Sequence, residues 1–522
     1  MKKYAVLWLA GLLILAFSSA GYAQLPKLDF KASGMLDTQT FWDENVPPRN
    51  TSAGIHSVTS SNINAFTKAP LPPNLPDKAL DKKVAYWDQR AHLRFDATMG
   101  KELSGTVMFE LDATRWGGPS NSTAFMRESG NFGSWATDRT AVEIKNIYLN
   151  VGLPYFGIPV PMTMSIGAQP LQIRPNVLVS TDGTGITGGI KVDPVTIIPY
   201  YFKALEGVDW NSDDVDVWGL RADAKIGKLT IGGYGLYYNM NTYPLQVAAP
   251  IAGFPATLQP SVNGTMKAHM WWFGAYVDGK MGPVDLNFDI VYDHGRAFSV
   301  ISDVENVTYS GWMTRLKVDY PWEKFNFGMI GMYASGADTE KTSASGLPGS
   351  ATSVPGVTSY RVGSYVVPVG SEQDTANNES IVVYGTDAGA SGGIGIAKNA
   401  NYNQVNRGGF GGTWFAKLYT SCKITRAYKV TVQGLYIGDT TKNGNTLGNA
   451  VRTGTALLRD DKDIGFELDL INEFQIYKNL MFRFGAGYLW AGDALDLRRG
   501  TLNRNFSIEN PWAVRTRLMY TF

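Results

Sequence analysis

Cysteine is almost missing from this chain: Cys422 is its one representative. An intramolecular disulfide is excluded, and so is a Cys-x-x-Cys-His attachment site for c-type haem. Histidine is nearly as scarce, with His56, His92, His269 and His294. They form no metal-ligand spacing and offer little to a hydrolase that needs a histidine beside a nucleophile. His92 lies between Arg90 and Arg94; His294, next to Asp293, is the better candidate for a base. Charge of one sign is missing too, since 47 basic residues face 46 acidic ones. That balance leaves no footprint for nucleic acid or for a polybasic membrane patch. There is no Walker motif, and the glycines at 392–395 lack the strand-to-helix context of a phosphate loop. No cofactor is expected. Beyond residue 23 no apolar run is long enough for a membrane-crossing helix.

What the chain does have is 57 glycines and 64 aromatic residues (14 Trp, 26 Tyr and 24 Phe), a profile that suits many strands joined by tight turns. The N-terminus has the pattern of an export signal. Lys2 and Lys3 precede an apolar stretch from Ala5 to Phe17, and Gly21 and Ala23 meet the small-residue requirement for cleavage after Ala23. Residues 1–23 are therefore expected to be a signal peptide and 24–522 the folded protein. The apolar stretch is shorter than the ~20 residues of a spanning helix, and no lipobox cysteine follows.

Segments of about ten residues then alternate strictly, as expected for barrel strands. In 284–293, Val284, Leu286, Phe288, Ile290 and Tyr292 oppose Asp285, Asn287, Asp289 and Asp293. In 463–470, Ile464, Phe466, Leu468 and Leu470 oppose Asp463, Glu467 and Asp469. Side chains alternate across a strand, and charges in lipid are costly, so the charged face must line water or protein. The strands are expected at 28–42, 85–99, 102–114, 139–151, 162–172, 185–192, 195–205, 214–226, 229–240, 267–278, 284–294, 308–320, 325–335, 410–423, 427–438, 463–476, 480–490 and 512–522. The fold class is all-β: a transmembrane antiparallel β-barrel of about 18 strands with long extracellular loops and both termini on the periplasmic side.

Two loops stand out. Residues 43–84 are rich in proline, and 336–409 in Gly, Ser, Thr and Asn. Loops of this length are commonly functional or disordered. The second loop either folds inward to narrow the lumen or stays outside; strand character at 356–366 and 380–385 also allows a hairpin extending the barrel. The expected inward cations are Arg90, Arg94, Arg221, Arg315, Lys317, Lys417, Arg483, Arg515 and Arg517, with His92 among them. The expected inward acids are Asp88, Asp96, Glu110, Asp112, Asp223, Asp285, Asp289, Asp293, Glu467 and Asp469. Asp285, Asp289 and Asp293 form the best cation-attracting stripe, and Arg90 with Arg94 the best opposing one. First and last strands must pair, so Arg515 and Arg517 are expected near the acids of 29–37. Many of these charges are expected to brace the wall as salt bridges.

The last strand places Phe522, Tyr520, Leu518, Thr516 and Val514 on one face and Arg515 and Arg517 on the other. It resembles the closing strand of bacterial outer-membrane barrels, in which Tyr520 and Phe522 would be the signal for the barrel-assembly machinery. The passage 146–150 followed by 165–170, and the pair 465–470 and 485–493, resemble large bacterial porins and loosely the alginate-export type. That resemblance implies a bacterial outer-membrane location, membrane lipid around the barrel, and a non-enzymatic pore for small hydrophilic solutes or ions. The alternatives are a barrel sheath around a periplasmic or multihaem cytochrome partner, or a surface receptor acting through 43–84 and 336–409.

Overall fold

A computed structural model describes residues 28–45, 83–116, 142–153, 160–175, 177–207, 212–243, 266–299, 306–341, 361–371, 379–385, 409–455, 457–499 and 504–522. The expected signal peptide, most of the loop 43–84 and the side chain of Asp112 lie outside the described residues.

The elements in chain order are β1 (Leu28–Glu44), β2 (Lys83–Met99), β3 (Leu103–Arg115), β4 (Glu143–Leu153), β5 (Met162–Ile173), β6 (Val179–Val192), β7 (Val195–Leu205), β8 (Val215–Ile226), β9 (Leu229–Met240), β10 (Met266–Met281), β11 (Val284–Ser299), β12 (Val307–Trp322), β13 (Phe325–Ala334), β14 (Arg361–Val362), β15 (Thr413–Lys423), β16 (Tyr428–Asp439), β17 (Asp463–Tyr477), β18 (Leu480–Ala491), β19 (Leu497–Arg499), β20 (Arg504–Phe506) and β21 (Trp512–Thr521). All but β14, β19 and β20 are wall strands, which gives the expected count of 18. Each pairs antiparallel with its neighbour, and β21 closes the ring between β18 and β1. Closure leaves no free edge, the liability of an open sheet. At the final residue, the Gly34 amide donates to the Phe522 carbonyl at 2.9 Å and the Phe522 amide to the Gly34 carbonyl at 3.1 Å.

Tight turns gather at the end that carries Leu28 and Phe522. Gly100, Gly227 and Gly282 there adopt φ of +64°, +62° and +63°, a region that glycine enters without a Cβ penalty. Wall height is uneven: β10, β11 and β12 each run 16 residues, whereas β4 and β7 run 11.

The outside of the ring is apolar. Leu36, Leu93, Leu149, Leu220, Leu418 and Leu468 project from it, exposed. Aromatic residues bracket this aliphatic zone. Toward the rim opposite the termini, Tyr237 stacks on Trp271 at 4.2 Å, Trp312 on Tyr333 at 4.9 Å and Trp87 on Trp116 at 5.2 Å. Toward the rim that carries the termini, Phe30 stacks on Phe95 at 5.8 Å and Tyr520 on Phe522 at 5.7 Å. A greasy band between two aromatic girdles matches acyl chains bounded by headgroups, and this is a transmembrane barrel.

Candidate functional site: the barrel lumen

The inner wall is built from the other half of each alternation, and the chain folds back into the space it encloses. Two pieces enter. The first is the tip of the β5–β6 hairpin. Pairing of β4 with β5 stops at Ile147 and Ala168, and pairing of β6 with β7 stops at Thr184 and Lys203. β5 and β6 continue to pair with each other as far as Ile173 and Val179. Residues 169–183 thus leave the wall as a flap. At its tip Arg174 donates to Asp289 on β11 at 2.7 Å and to Asp278 on β10 at 3.0 Å, with its guanidinium 4.2 Å from the Tyr276 ring centre. Burial works against the Arg174 charge, but the two carboxylates outweigh it and raise its pKa.

The second piece comes from 336–409: its stretches 361–371 and 379–385 lie against the inner wall. β14 pairs in parallel with the start of β12, at Thr308 and Tyr309. Beyond it, the Val366 amide donates to Asp293 at 3.1 Å, Trp272 donates to the Val366 carbonyl at 2.8 Å, and the Tyr365 hydroxyl donates to Val177 on the flap at 2.5 Å. Gly311 makes room for this stretch, since a Cβ there would collide with the backbone of Ser364 and Tyr365. Residues 379–385 then lie against β12 and β15 to β18. They form no strand, because their amides go to a carboxylate: Ile381, Val382 and Val383 donate to Glu467 at 2.9, 2.5 and 3.0 Å, and the Ser380 hydroxyl adds a bond at 2.8 Å. Gly485 and Gly487 on β18 accommodate the Ile381 side chain. Of the alternatives the sequence allows for this loop, the described residues 379–385 follow inward docking and not the hairpin extension, part of which, 356–360, lies outside the described residues.

Charge docks this segment from both sides. Glu379 meets two wall cations, Arg315 at 2.5 Å and Lys417 at 2.8 Å, and Lys417 also donates to the Glu379 carbonyl at 2.8 Å. Burial pushes the Glu379 carboxyl up, but Lys417 and Arg315 outweigh it and hold the pKa at about 2. Wall acids hold segment amides while wall cations hold the segment acid.

Several expected roles change accordingly. The stripe of Asp285, Asp289 and Asp293 is not free to draw cations. Asp285 pairs with Lys280 at 3.0 Å, Asp289 is taken by Arg174, and Asp293 accepts the amides of Gly311 and Val366. Arg315, Lys417, Glu467 and Asp469 are buried beneath the docked segment, so solvent does not reach them. Gln433 bridges Asp469 at 2.8 Å to the Glu379 carbonyl at 3.1 Å. Arg517 pairs with Asp37 at 2.8 Å as expected, but Arg515 pairs with Asp43, outside 29–37, because the register sets Arg515 opposite Phe41, higher on β1. His294 points to the exterior beside Tyr292, away from Asp293, so it is not a base within the lumen.

The wall from β2 to β4 is less covered. Glu110 accepts His92 at 2.6 Å and Lys145 at 2.7 Å, with Arg90 at 3.4 Å. Arg94 pairs with Asp96 at 2.8 Å and Thr106 donates to Asp96 at 2.6 Å. Lys145 also reaches Asp182 at 3.2 Å and so ties the wall to the flap. Elsewhere Arg221 pairs with Asp223 at 2.7 Å and Lys317 with Asp319 at 3.3 Å. Arg483 sits in register between Glu473 and Arg517, and Asp88 is buried. Arg174, Lys145 and Glu379 were missing from the expected set. For Glu379 a signal existed: the apolar run Ile381 to Tyr384 inside a polar loop marks a segment that buries itself.

The geometry defines a class: a transmembrane β-barrel with its own hairpin tip and two stretches of a long loop, 361–371 and 379–385, folded into its lumen. No protein-family model matches the chain, and no curated protein matches it. Among solved structures the chain is similar to OccK11 (OpdR) of Pseudomonas aeruginosa, with 9% identity over 94% of this chain and 96% of that one and a TM-score of 0.45. It is similar to OpdK of the same organism, solved with vanillate, with 10% identity over 95% and 98% and a TM-score of 0.46. It is also similar to OccAB3 of Acinetobacter baumannii, with 9% identity over 95% and 99% and a TM-score of 0.47. No lumen residue is carried across from them, and they lend no support to the alginate-export resemblance.

Proposed function

We propose that this chain is a channel of the bacterial outer membrane that passes small hydrophilic solutes or ions and is narrowed by its own docked segments. The observation that carries the reading is the placement of 361–371 and 379–385 against the inner wall, anchored on Asp293 and Glu467. Such inner segments set bore and charge at once. Cations and acids on the inner wall are interleaved, which favours small solutes over an extended polyanion such as alginate. Both termini would face the periplasm, with Tyr520 and Phe522 read by the assembly machinery. A sheath around a multihaem cytochrome is the weaker reading, because the chain already fills part of the space that such a partner needs. Purified protein in planar bilayers is expected to give small stepwise currents; a folded barrel that never conducts would overturn the proposal.

A further inference from the structure

A cluster of basic residues lies on the outside of the barrel, at the rim opposite the termini. On β10 and β11 the outward positions above the aromatic girdle are Lys267, His269, His294 and Arg296, since the intervening Ala268, Met270 and Ala297 are fully buried. The register places His294 opposite Trp271, His269 opposite Arg296 and Lys267 opposite Phe298. The Arg296 guanidinium lies 5.4 Å from the Phe298 ring centre, and the His269 ring lies 5.4 Å from it. The His269 Nδ1 atom shares a hydrogen bond with the Tyr237 hydroxyl at 2.8 Å. Among the described residues no carboxylate forms an ion pair with any of these four basic groups. In the row through His269 the flanking residues are Asn239 on β9 and Thr308 on β12. The next acid, Asp216 on β8, is engaged by Tyr201 at 3.0 Å and Lys203 at 3.5 Å.

This contrasts with the inner wall, where Arg94, Arg221, Arg315, Lys317, Lys417 and Arg517 all have acids beside them. Lys267 and Arg296 are diagonal neighbours across the β10–β11 pair, close enough for their like charges to be felt, and an anion between them would offset that. Aromatic girdles mark the headgroup level of a bilayer, so a cationic cluster one or two rungs beyond Trp271 and Tyr292 sits where lipid phosphates lie. We propose that Lys267, His269, His294 and Arg296 form a binding site for the phosphate of an anionic lipid headgroup in the leaflet opposite the termini. The aromatic faces of Trp271 and Phe298 would contact the apolar part of the same lipid.

The test uses the whole folded barrel in detergent, with native mass spectrometry of retained dioleoyl phosphatidic acid and dioleoyl phosphatidylcholine. Phosphatidic acid should be retained preferentially by the unaltered protein. Lys267→Gln and Arg296→Gln should each weaken retention about fivefold, and Arg296→Lys should keep most of it. Both side chains point out of the barrel, so an unchanged unfolding temperature checks the fold. Inorganic phosphate should fail to displace the lipid; displacement by it would make this a soluble-anion site and overturn the lipid assignment. Equal retention of the two lipids, or equal retention by the Lys267→Gln/Arg296→Gln protein, would also overturn it. Bilayer conductance of that double variant should match the unaltered barrel, so the lipid site and the channel reading fail separately.

Discussion

Two stretches of the inner wall use the same side-chain chemistry and reach opposite outcomes. Between β11 and β17, Arg315, Lys417, Asp293 and Glu467 are sealed under the docked segment, with only 4% of the Arg315 side chain exposed. Between β2 and β4, Arg90, Arg94 and Lys145 pair with acids but keep contact with solvent, and Arg94 is 40% exposed. Strand alternation sent both sets inward. Coverage then decided what each does: a buried ion pair holds a segment in place, whereas a wetted one shapes the field that a solute meets.

The largest effect should come from removing an anchor on the covered side. Glu467→Ala strips the acceptor from the Val382 and Val383 amides and the Ser380 hydroxyl and leaves the Ile381 amide only its 3.2 Å bond to Asp469, so buried donors go unpaired at a cost of about 3 kcal/mol or more. The segment 379–385 should undock, which would be read as larger single-channel currents and as new proteolytic cuts within it. Unchanged currents and cuts would erase the distinction between the two stretches. Gly311→Val should act next. Its side chain would force Ser364 and Tyr365 off β12, at a cost of about 1–3 kcal/mol, and hydrogen exchange of the Val366 amide should rise.

Acid should reach Glu379 late. Glu379 has a depressed pKa of about 2, so its contribution to docking is complete above the unfolded-state value of about 4.3 and is lost as pH falls through about 2. Currents governed by Glu379 should therefore stay constant from neutral pH to about pH 4.5 and change only in stronger acid; a midpoint near pH 6 would point to another group. The smallest structural effect belongs to the wetted stretch. Arg94→Gln should shift the unfolding free energy by no more than about 1 kcal/mol and still alter the cation-to-anion permeability ratio, measured as a reversal potential.

Much of this architecture was legible in the sequence because a barrel wall is written in local alternation. The expected strand 463–476 is found as Asp463–Tyr477, and 229–240 matches its strand end to end. Where the sequence fell short, the reason is a partner distant along the chain. β6 was expected from 185 but begins at Val179, because the flap pairs only with itself and is covered on its other side by the docked segment. The alternation predicts an end to β11 at 294, although the strand runs on to Ser299 through His294 and Arg296, whose outward basic side chains break the apolar pattern above the girdle. Alternation tells which face Asp289 occupies. It does not tell that Arg174, far back along the chain, will claim it.

The chain narrows its own lumen with residues 361–371 and 379–385. The direct measurement is single-channel conductance in planar bilayers of the unaltered barrel beside one in which 361–385 is replaced by a short Gly-Ser linker. Severalfold larger current steps are expected from the replaced form, with the ring still folded. Equal steps from the two folded proteins would contradict it.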